Sequence, residues 1–306
     1  MKKAVTVIIL IASLVCLLPS EAKGEDYGKI TLSTPRNYLE TDIINSYGEP
    51  VGTAYYDPYS DTCLCPLGSI ADAAGIEVTE KYEEDAGNYS AGGKDINFIA
   101  DRSCDYVVAN FRYFYTPGNY LIIDGKVCFE MQMLCRIFGF TAENTGSGNV
   151  IITETGEGVI TGGADYYEQT YGKEDVKWLS RIIQAEAGAE CLACKIAVGN
   201  VIFNRLDDPY FPNTIYKVVF QKDVDGTVQF SPTETGGINL PPTDESLMAA
   251  YMCFEGANTA GMSEFFVDPK EGASSWFRNS LTYVVTLGKL DFYADPRRLE
   301  NNENGA

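Results

Sequence analysis

The chain has 306 residues, which is enough for two ordinary domains, and 45% of its residues are apolar. This composition, with 20 Tyr and 15 Phe, is typical of folded domains and excludes general disorder. The formal net charge of −20 argues against nucleic-acid binding, because contact with phosphates needs a basic surface. The absence of histidine excludes Ser-His-Asp and Cys-His catalysis and any His-ligated metal. An enzyme built on this chain must move protons with carboxylates, Lys, Tyr, Cys or water.

The first 22 residues have the pattern of an export signal. Lys2 and Lys3 precede an apolar run, and a small-residue exit follows at Ala22. The apolar run is short for a membrane span. The pattern predicts a cleaved signal peptide over residues 1–22 and a secreted or cell-envelope protein, with an uncleaved membrane anchor as the alternative.

Short apolar runs separated by turn sequences fill residues 27–155 and predict strands joined by hairpins. An internal echo is also present: residues 62–79 and 126–144 each read as a strand, a helix, a glycine and a second strand. Gly75 and Gly139 stand where a helix C-terminus favours a left-handed residue.

The segment CPLGSIADAAG at residues 65–75, with its looser second copy, resembles the copper amine oxidase N-terminal domain, a repeated stalk module of secreted proteins. Nothing in the sequence suggests bound copper. The resemblance implies a spacer, or a module that contacts the cell wall or a protein partner.

Residues 156–174, rich in Gly, Thr, Glu and Asp, have the composition of a linker. A second domain is predicted over residues 175–296, and residues 297–306 are predicted to be a disordered tail. The overall prediction is an α+β fold, with an α/β repeat module followed by a mainly helical domain.

Eight cysteines follow the predicted leader, an even number that permits disulfides without establishing them. Cys191 and Cys194 form a C-x-x-C spacing inside a helical pattern. Buried free thiols are the favoured interpretation, and a zinc site that also uses Cys253 is the alternative. The sequence predicts no metal and no cofactor.

Residues 178–206 predict two helices with a break near Gly188. Trp178, Leu179, Ile182 and Ile183 form an apolar stripe, and Glu186 falls on the same face. A carboxylate that loses hydration there has a raised pKa, as a general acid requires. The competing interpretation is a surface glutamate that faces solvent or pairs with a cation.

Several later segments supply amides and aromatic rings of the kind that bind sugars. Each of these amides and rings also has an interpretation without a role in binding, as a helix-capping group or as an aromatic ring of the core. The candidate substrate-binding residues, with Glu186 as the catalytic acid, are Glu190, Asn204, Gln229, Phe230, Ser231, Phe266, Trp276 and Tyr293.

Seven motifs stand in order over about 120 residues: AEAGAE at 185–190, AVGNVIFNR at 197–205, FPNT at 211–214, QFS at 229–231, FVDP at 266–269, SSW at 274–276 and FY at 292–293. This series resembles the cell wall hydrolases of the spore cortex-lytic (SleB) type. Two departures are visible. Ala189 separates Gly188 from Glu190, and Val267 and Leu290 stand where members often carry histidine.

The resemblance implies a lysozyme-like domain that cuts peptidoglycan glycan strands between N-acetylmuramic acid and N-acetylglucosamine as a lytic transglycosylase, in cell wall or spore cortex remodelling. It implies that Glu186 protonates the leaving oxygen and then deprotonates the muramoyl C6 hydroxyl, which closes a 1,6-anhydro ring. Two alternatives remain. One is an inverting muramidase in which Glu190 or Asp268 activates water, and the other is a non-catalytic wall-binding protein with the same fold.

Overall fold

The computed structural model describes residues 38–58, 60–144, 149–270 and 275–303. The predicted signal peptide, residues 1–22, lies outside this range. Strands predominate before residue 155, and helices predominate after it. The predicted α+β class is therefore confirmed, with a strand-rich N-terminal region and a mainly helical C-terminal region.

Two antiparallel-rich sheets make up the N-terminal region. Five strands, β4 to β8, form one sheet in chain order, and seven form the other in the order β11-β12-β1-β2-β3-β10-β9. Only the contact between β1 and β12 is parallel among the described pairs of the larger sheet. The elements are β1 Leu39–Asn45, β2 Pro50–Asp57, β3 Thr62–Pro66, α1 Leu67–Ala73, β4 Val78–Glu83, β5 Asn88–Gly93, β6 Asn97–Asp101, β7 Tyr106–Ala109, β8 Arg112–Tyr115, β9 Leu121–Ile123, β10 Lys126–Glu130, α2 Met131–Phe138, β11 Phe140–Asn144 and β12 Val150–Glu154.

The internal echo is confirmed as local structure. Strand β3, helix α1 and strand β4 repeat as β10, α2 and β11, with a glycine after each helix. Gly75 has φ +69° and Gly139 has φ +81°, the left-handed conformation that ends a helix without steric cost. At Gly139 a Cβ atom would also lie 2.3 Å from the carbonyl oxygen of Gly158. The two copies differ in the sheet that their second strand joins. Strand β4 belongs to the five-stranded sheet, and strand β11 belongs to the seven-stranded sheet.

A single apolar core joins these strands to α1 and α2. Phe129 lies at its centre, with ring centroids 4.9 Å from Phe98 and 5.0 Å from Tyr89. The segment predicted as a linker, residues 156–174, also contributes: Val159 and Ile160 pack against this core. It contains helix α3, Tyr166–Tyr171, so it is more ordered than its composition suggests.

Helices α4, α5 and α8 pack against one another in the C-terminal region. The elements are α4 Lys173–Ala187, α5 Leu192–Asp207, α6 Ile215–Val219, α7 Pro232–Thr235, a 3₁₀ turn Gly237–Asn239, α8 Asp244–Phe254, β13 Phe265–Val267, α9 Ser275–Ser280, β14 Thr282–Leu287, β15 Leu290–Ala294 and α10 Pro296–Glu303. The strands form a small sheet in the order β13-β15-β14.

The helix pair predicted around Gly188 is present. Leu179, Ile182 and Ile183 are fully buried, as the apolar stripe predicts, whereas Trp178 is only half-buried. The first helix begins at Lys173. Helix α8 is capped by Thr243, whose hydroxyl accepts a hydrogen bond from the Ser246 amide.

The tail predicted to be disordered forms helix α10 as far as Glu303. Asp295 precedes it and accepts a hydrogen bond at 2.9 Å from the amide of Arg297, while Pro296 suits the first helical turn. Arg298 then approaches the buried carboxylate of Glu264, with Nε 3.5 Å from Oε1. A polar composition indicated disorder, but these caps and the tertiary ion pair stabilise a helix.

A buried ion cluster joins the strand-rich region to the helical region, which together form one compact unit from residue 38 onward. Glu255, at the end of α8, accepts two hydrogen bonds at 2.7 Å from Arg112. Arg136 lies 3.0 Å from the same carboxylate, whose side chain is 1% exposed. Beside this cluster, Tyr167 stacks on Tyr251 with a ring separation of 3.9 Å.

All eight cysteines in the described residues are free thiols. Cys194 and Cys253 are buried, but Cys191 is exposed. The prediction of a buried Cys191 is therefore wrong, because this residue caps α5 from the preceding turn and does not lie within the helix. No group of three or more His, Cys, Asp or Glu side chains in the described ranges could hold a metal ion. Nor is any helix there long and apolar enough to cross a membrane.

Candidate active site

A polar cleft of about 920 Å³ opens in the helical region. The last turn of α4, the segment from Gln221 to Pro232, and residues of strands β13 and β15 form its walls. The side chains that line it are Ala185, Glu186, Glu190, Arg205, Phe211, Gln221, Asp223, Val228, Gln229, Phe230, Ser231, Pro232, Phe265, Phe266, Val267, Asp268, Phe277, Lys289 and Leu290.

Glu186 is the penultimate residue of α4 and its side chain is partly buried against the cleft. The helix is amphipathic, and the residues one turn earlier, Ile182 and Ile183, are in the core. This face of the helix therefore brings the carboxylate to the boundary between the apolar core and the cleft. A carboxylate at such a boundary can lose part of its hydration while it stays in reach of a ligand.

Gly188 ends the helix just after Glu186. A Cβ atom there would lie 2.5 Å from the backbone carbonyl oxygen of Gln184 and 2.2 Å from its side-chain Nε2, so a larger residue would force this turn to shift. Gln184 is held in turn by Thr243, whose amide and hydroxyl donate to its Oε1 at 2.9 and 2.8 Å. The turn of the chain beside Glu186 is thus fixed to the start of α8.

Glu190 lies in the turn between α4 and α5. Its carboxylate accepts a hydrogen bond at 3.0 Å from the Lys289 amide and lies 3.3 Å from the Lys289 ammonium group. Lys289 belongs to the hairpin between β14 and β15. Lys195 donates to the Glu190 carbonyl from the buried side and pairs with Glu245 at 2.7 Å. Glu190 therefore fixes the hairpin that forms one wall of the cleft.

Arg205 supplies a buried positive charge at the base of the cleft, and the sequence analysis missed it as a site residue. Its guanidinium group lies 4.9, 5.0 and 5.3 Å from the ring centres of Phe211, Phe230 and Phe265. Its Nε donates to the carbonyl of Glu264 at 2.8 Å. Burial lowers the pKa of Arg205 to about 10, so the group stays charged at neutral pH.

Glu264 lies behind the cleft with no exposed surface. Burial first, and then the neighbouring carboxylate of Asp208, raise the pKa of Glu264 to about 7. Arg298 opposes this shift. The sequence analysis did not single out this residue, because no local pattern marks an acid before two phenylalanines as buried.

Five of the predicted substrate-binding residues line the cleft together with Glu186. Gln229 and Ser231 are exposed, and Phe266 is half-buried, so these three can contact a ligand. Phe230 is 3% exposed and its ring packs under Arg205, which makes it part of the cleft floor. The five residues are Glu190, Gln229, Phe230, Ser231 and Phe266.

Two of the predicted residues are placed elsewhere. Asn204 is buried below the cleft, and its amide donates to the carbonyls of Gly261 and Ser263 at 2.9 and 2.7 Å. The prediction that it binds substrate is corrected, because both amide hydrogens hold a loop. Tyr293 on β15 packs edge-on against Phe277 and Tyr283 at 5.6 and 5.8 Å. Trp276 lies in α9, and its side chain is outside the described part of the chain.

Chains of known function match the C-terminal region. Residues 189–293 match the family model described as Cell Wall Hydrolase, a segment that begins three residues after Glu186. A spore cortex-lytic enzyme of Oceanobacillus iheyensis is 29% identical over 133 residues, covering 43% of this chain and 44% of the relative. A spore cortex-lytic enzyme of Bacillus subtilis is 24% identical over 106 residues, covering 35% of this chain and 33% of the relative. The chain thus spans less than half the length of the curated relatives that it matches.

A solved structure is also similar, the catalytic domain of the germination-specific lytic transglycosylase SleB from Bacillus anthracis. Its TM-score is 0.37 at 24% identity, and the match covers 40% of this chain and 97% of that chain. The region that the family model matches contains α5 to β15 and most of the residues that line the cleft. Over residues 189–293, the C-terminal region of this chain is thus similar to the cell wall hydrolase family.

Proposed function

We propose that this chain is a secreted enzyme that cleaves the bond between N-acetylmuramic acid and N-acetylglucosamine in peptidoglycan, with Glu186 as the catalytic acid and base. The observation that carries the proposal is the position of Glu186. It is a partly buried carboxylate at the C-terminal end of α4, in a cleft of about 920 Å³. The family match of residues 189–293 supports the substrate class.

The proposed reaction needs one carboxyl group that first gives and then takes a proton. Protonated Glu186 donates to the oxygen that links C1 of the muramoyl residue to the next sugar, and the C1–O bond breaks. The C6 hydroxyl of the same muramoyl residue then forms a bond to C1 and returns its proton to Glu186. The products are a free 4-hydroxyl and a 1,6-anhydro ring, and no water is consumed.

The surrounding residues have roles that follow from their placement. Glu190 is held by the Lys289 amide and ammonium groups, which suits a residue that shapes the cleft better than one that activates water. Gln229 and Ser231 present an amide and a hydroxyl group to the cleft for the substrate's hydroxyl and acetamido groups. Phe266 offers a half-buried ring against which a sugar face can pack.

Asp268 favours a second candidate function, an inverting muramidase. Its carboxylate also lines the cleft, although Oδ1 accepts a hydrogen bond from the Lys270 amide at 2.8 Å. In an inverting enzyme a second carboxylate at a set distance from the acid activates water. The two mechanisms differ in product, because water leaves a reducing end where the transglycosylase leaves an anhydro ring.

The test is digestion of purified sacculi, from spore cortex and from vegetative walls, followed by mass spectrometry of the released fragments. We expect anhydro muropeptides from the unmodified protein and a loss of activity of at least about a hundredfold in Glu186→Gln. Glu168→Gln, at a partly buried glutamate on α3 that does not line the cleft, is the matched control and should keep full activity. Fragments with reducing ends would instead show that the enzyme is a hydrolase and not a transglycosylase. An unmodified protein that binds sacculi but releases no fragment would instead be a wall-binding protein.

A further inference from the structure

A cluster of aromatic rings lies on the protein surface outside the cleft. Trp178 on α4 meets Tyr216 and Phe220 on and just after α6, with ring centroids 5.7 and 5.0 Å apart. Tyr216 and Phe220 are 4.7 Å apart. Tyr216 is 51% exposed, and the other two rings are half-buried. These three residues are called the aromatic platform below.

The platform adjoins the cleft through both of the elements that carry it. Trp178 precedes the cleft residue Ala185 by seven positions, so the two share one face of α4 and lie about 10 Å apart along its axis. On the other side, Phe220 directly precedes Gln221, and both Gln221 and Asp223 line the cleft. Both elements therefore carry residues of the platform next to residues of the cleft.

Positive charge accompanies the rings in a protein whose net charge is −20. The Lys177 ammonium group lies 4.4 Å from the Trp178 ring centre and is paired with the Glu174 carboxylate at 3.0 Å, and the Arg181 guanidinium group lies 5.7 Å from the same ring. Exposed aromatic groups of this kind are costly to keep in water and mark interaction surfaces. Rings beside cations suit a polymer that presents apolar sugar faces together with carboxylates.

We propose that the aromatic platform is an outlying binding site for the glycan strand, in which a sugar ring beyond the cleft stacks on Tyr216. This inference rests on the proposed function, because the ligand is the same polymer that the cleft would cut. Its consequence is a preference for long strands. A substrate that reaches the platform gains affinity, and one that fills only the cleft does not.

The first test measures binding without cleavage. In a Glu186→Gln background, the bound fraction on insoluble sacculi is measured against protein concentration for the parent and for Tyr216→Ala. We expect Tyr216→Ala to weaken binding about threefold to tenfold. Tyr216→Phe, which keeps the ring, should bind like the parent. The control is Tyr47→Ala, which removes an 88% exposed tyrosine from the turn between β1 and β2 and should change nothing.

The second test uses the active protein and compares sacculi with a tetrasaccharide. Tyr216→Ala should raise KM on sacculi, leave kcat unchanged and leave both constants unchanged on the short substrate. Equal binding by parent and Tyr216→Ala, or equal losses on both substrates, would overturn the inference. If the unmodified protein cleaves neither substrate, the proposed function fails, yet the binding comparison still decides the role of the platform. A parent that does not bind sacculi overturns both.

Discussion

Replacement of Glu264 by Gln tests whether a buried acid behind the cleft makes stability depend on pH. Glu264 has no exposed surface, and its pKa of about 7 compares with an ordinary value of 4.5. Burial is the main cause, and Asp208 and Asp295 add negative charge, while Arg298 opposes them. The folded protein thus holds this proton more tightly than the unfolded chain does.

The sign of the pH dependence of stability follows from that difference in proton affinity. Between pH 4.5 and about 7 the folded state binds the proton and the unfolded state releases it, so the free energy of unfolding falls as pH rises. The contribution of Glu264 is complete below pH 4.5 and is lost by about pH 7. Each pH unit between the two pKa values is worth about 1.4 kcal/mol, which makes the total about 3 kcal/mol.

Urea unfolding of both proteins at pH 5, 6, 7 and 8 measures this effect. Glutamine has the shape and hydrogen-bonding capacity of the protonated acid but does not titrate, so we expect nearly equal stability at pH 5. At pH 8 the variant should be more stable than the unmodified protein by about 2 to 3 kcal/mol. Glu234→Gln, at an exposed glutamate, controls for the general effect of removing negative charge. Parallel pH curves for Glu264→Gln and the unmodified protein would refute the reasoning.

Three further substitutions test the packing around the site. Glu255→Ala should lower the free energy of unfolding by about 3 to 5 kcal/mol, because two arginines lose their buried partner; a change below about 1 kcal/mol in chemical denaturation would contradict this. Asn204→Ala should cost about 1 to 3 kcal/mol and lower Tm, since two buried carbonyls lose their donor; unchanged Tm with a raised KM would restore its predicted role in substrate binding. Gly288→Ala should cost about 1 to 3 kcal/mol, because φ is +58° and the new Cβ would lie 2.3 Å from Glu190 Oε2; a Tm equal to that of the unmodified protein would show that the hairpin adapts.

Structural features that depend on one or two turns of the chain could be predicted from the sequence. Helical periodicity placed Ile182, Ile183 and Glu186 on one face, and the structure has that face at the boundary of core and cleft. The repeated strand–helix–glycine–strand pattern could be predicted for the same reason, since Gly75 and Gly139 supply the left-handed backbone conformation that ends each helix. The order of motifs after Gly188 indicated a cell wall hydrolase domain, which the family match confirms.

Only the tertiary structure decided what each polar or aromatic residue does. Asn204 and Gln229 look equally suited to bind a sugar in sequence, but one amide is used up by buried carbonyls and the other faces the cleft. Arg205 and Glu264 became site features because distant segments enclose them, and enclosure removes the water that sets an ordinary pKa. Trp178 belongs to the predicted apolar stripe but is only half-buried, because it packs against Tyr216 of α6, a segment whose position no local pattern encodes.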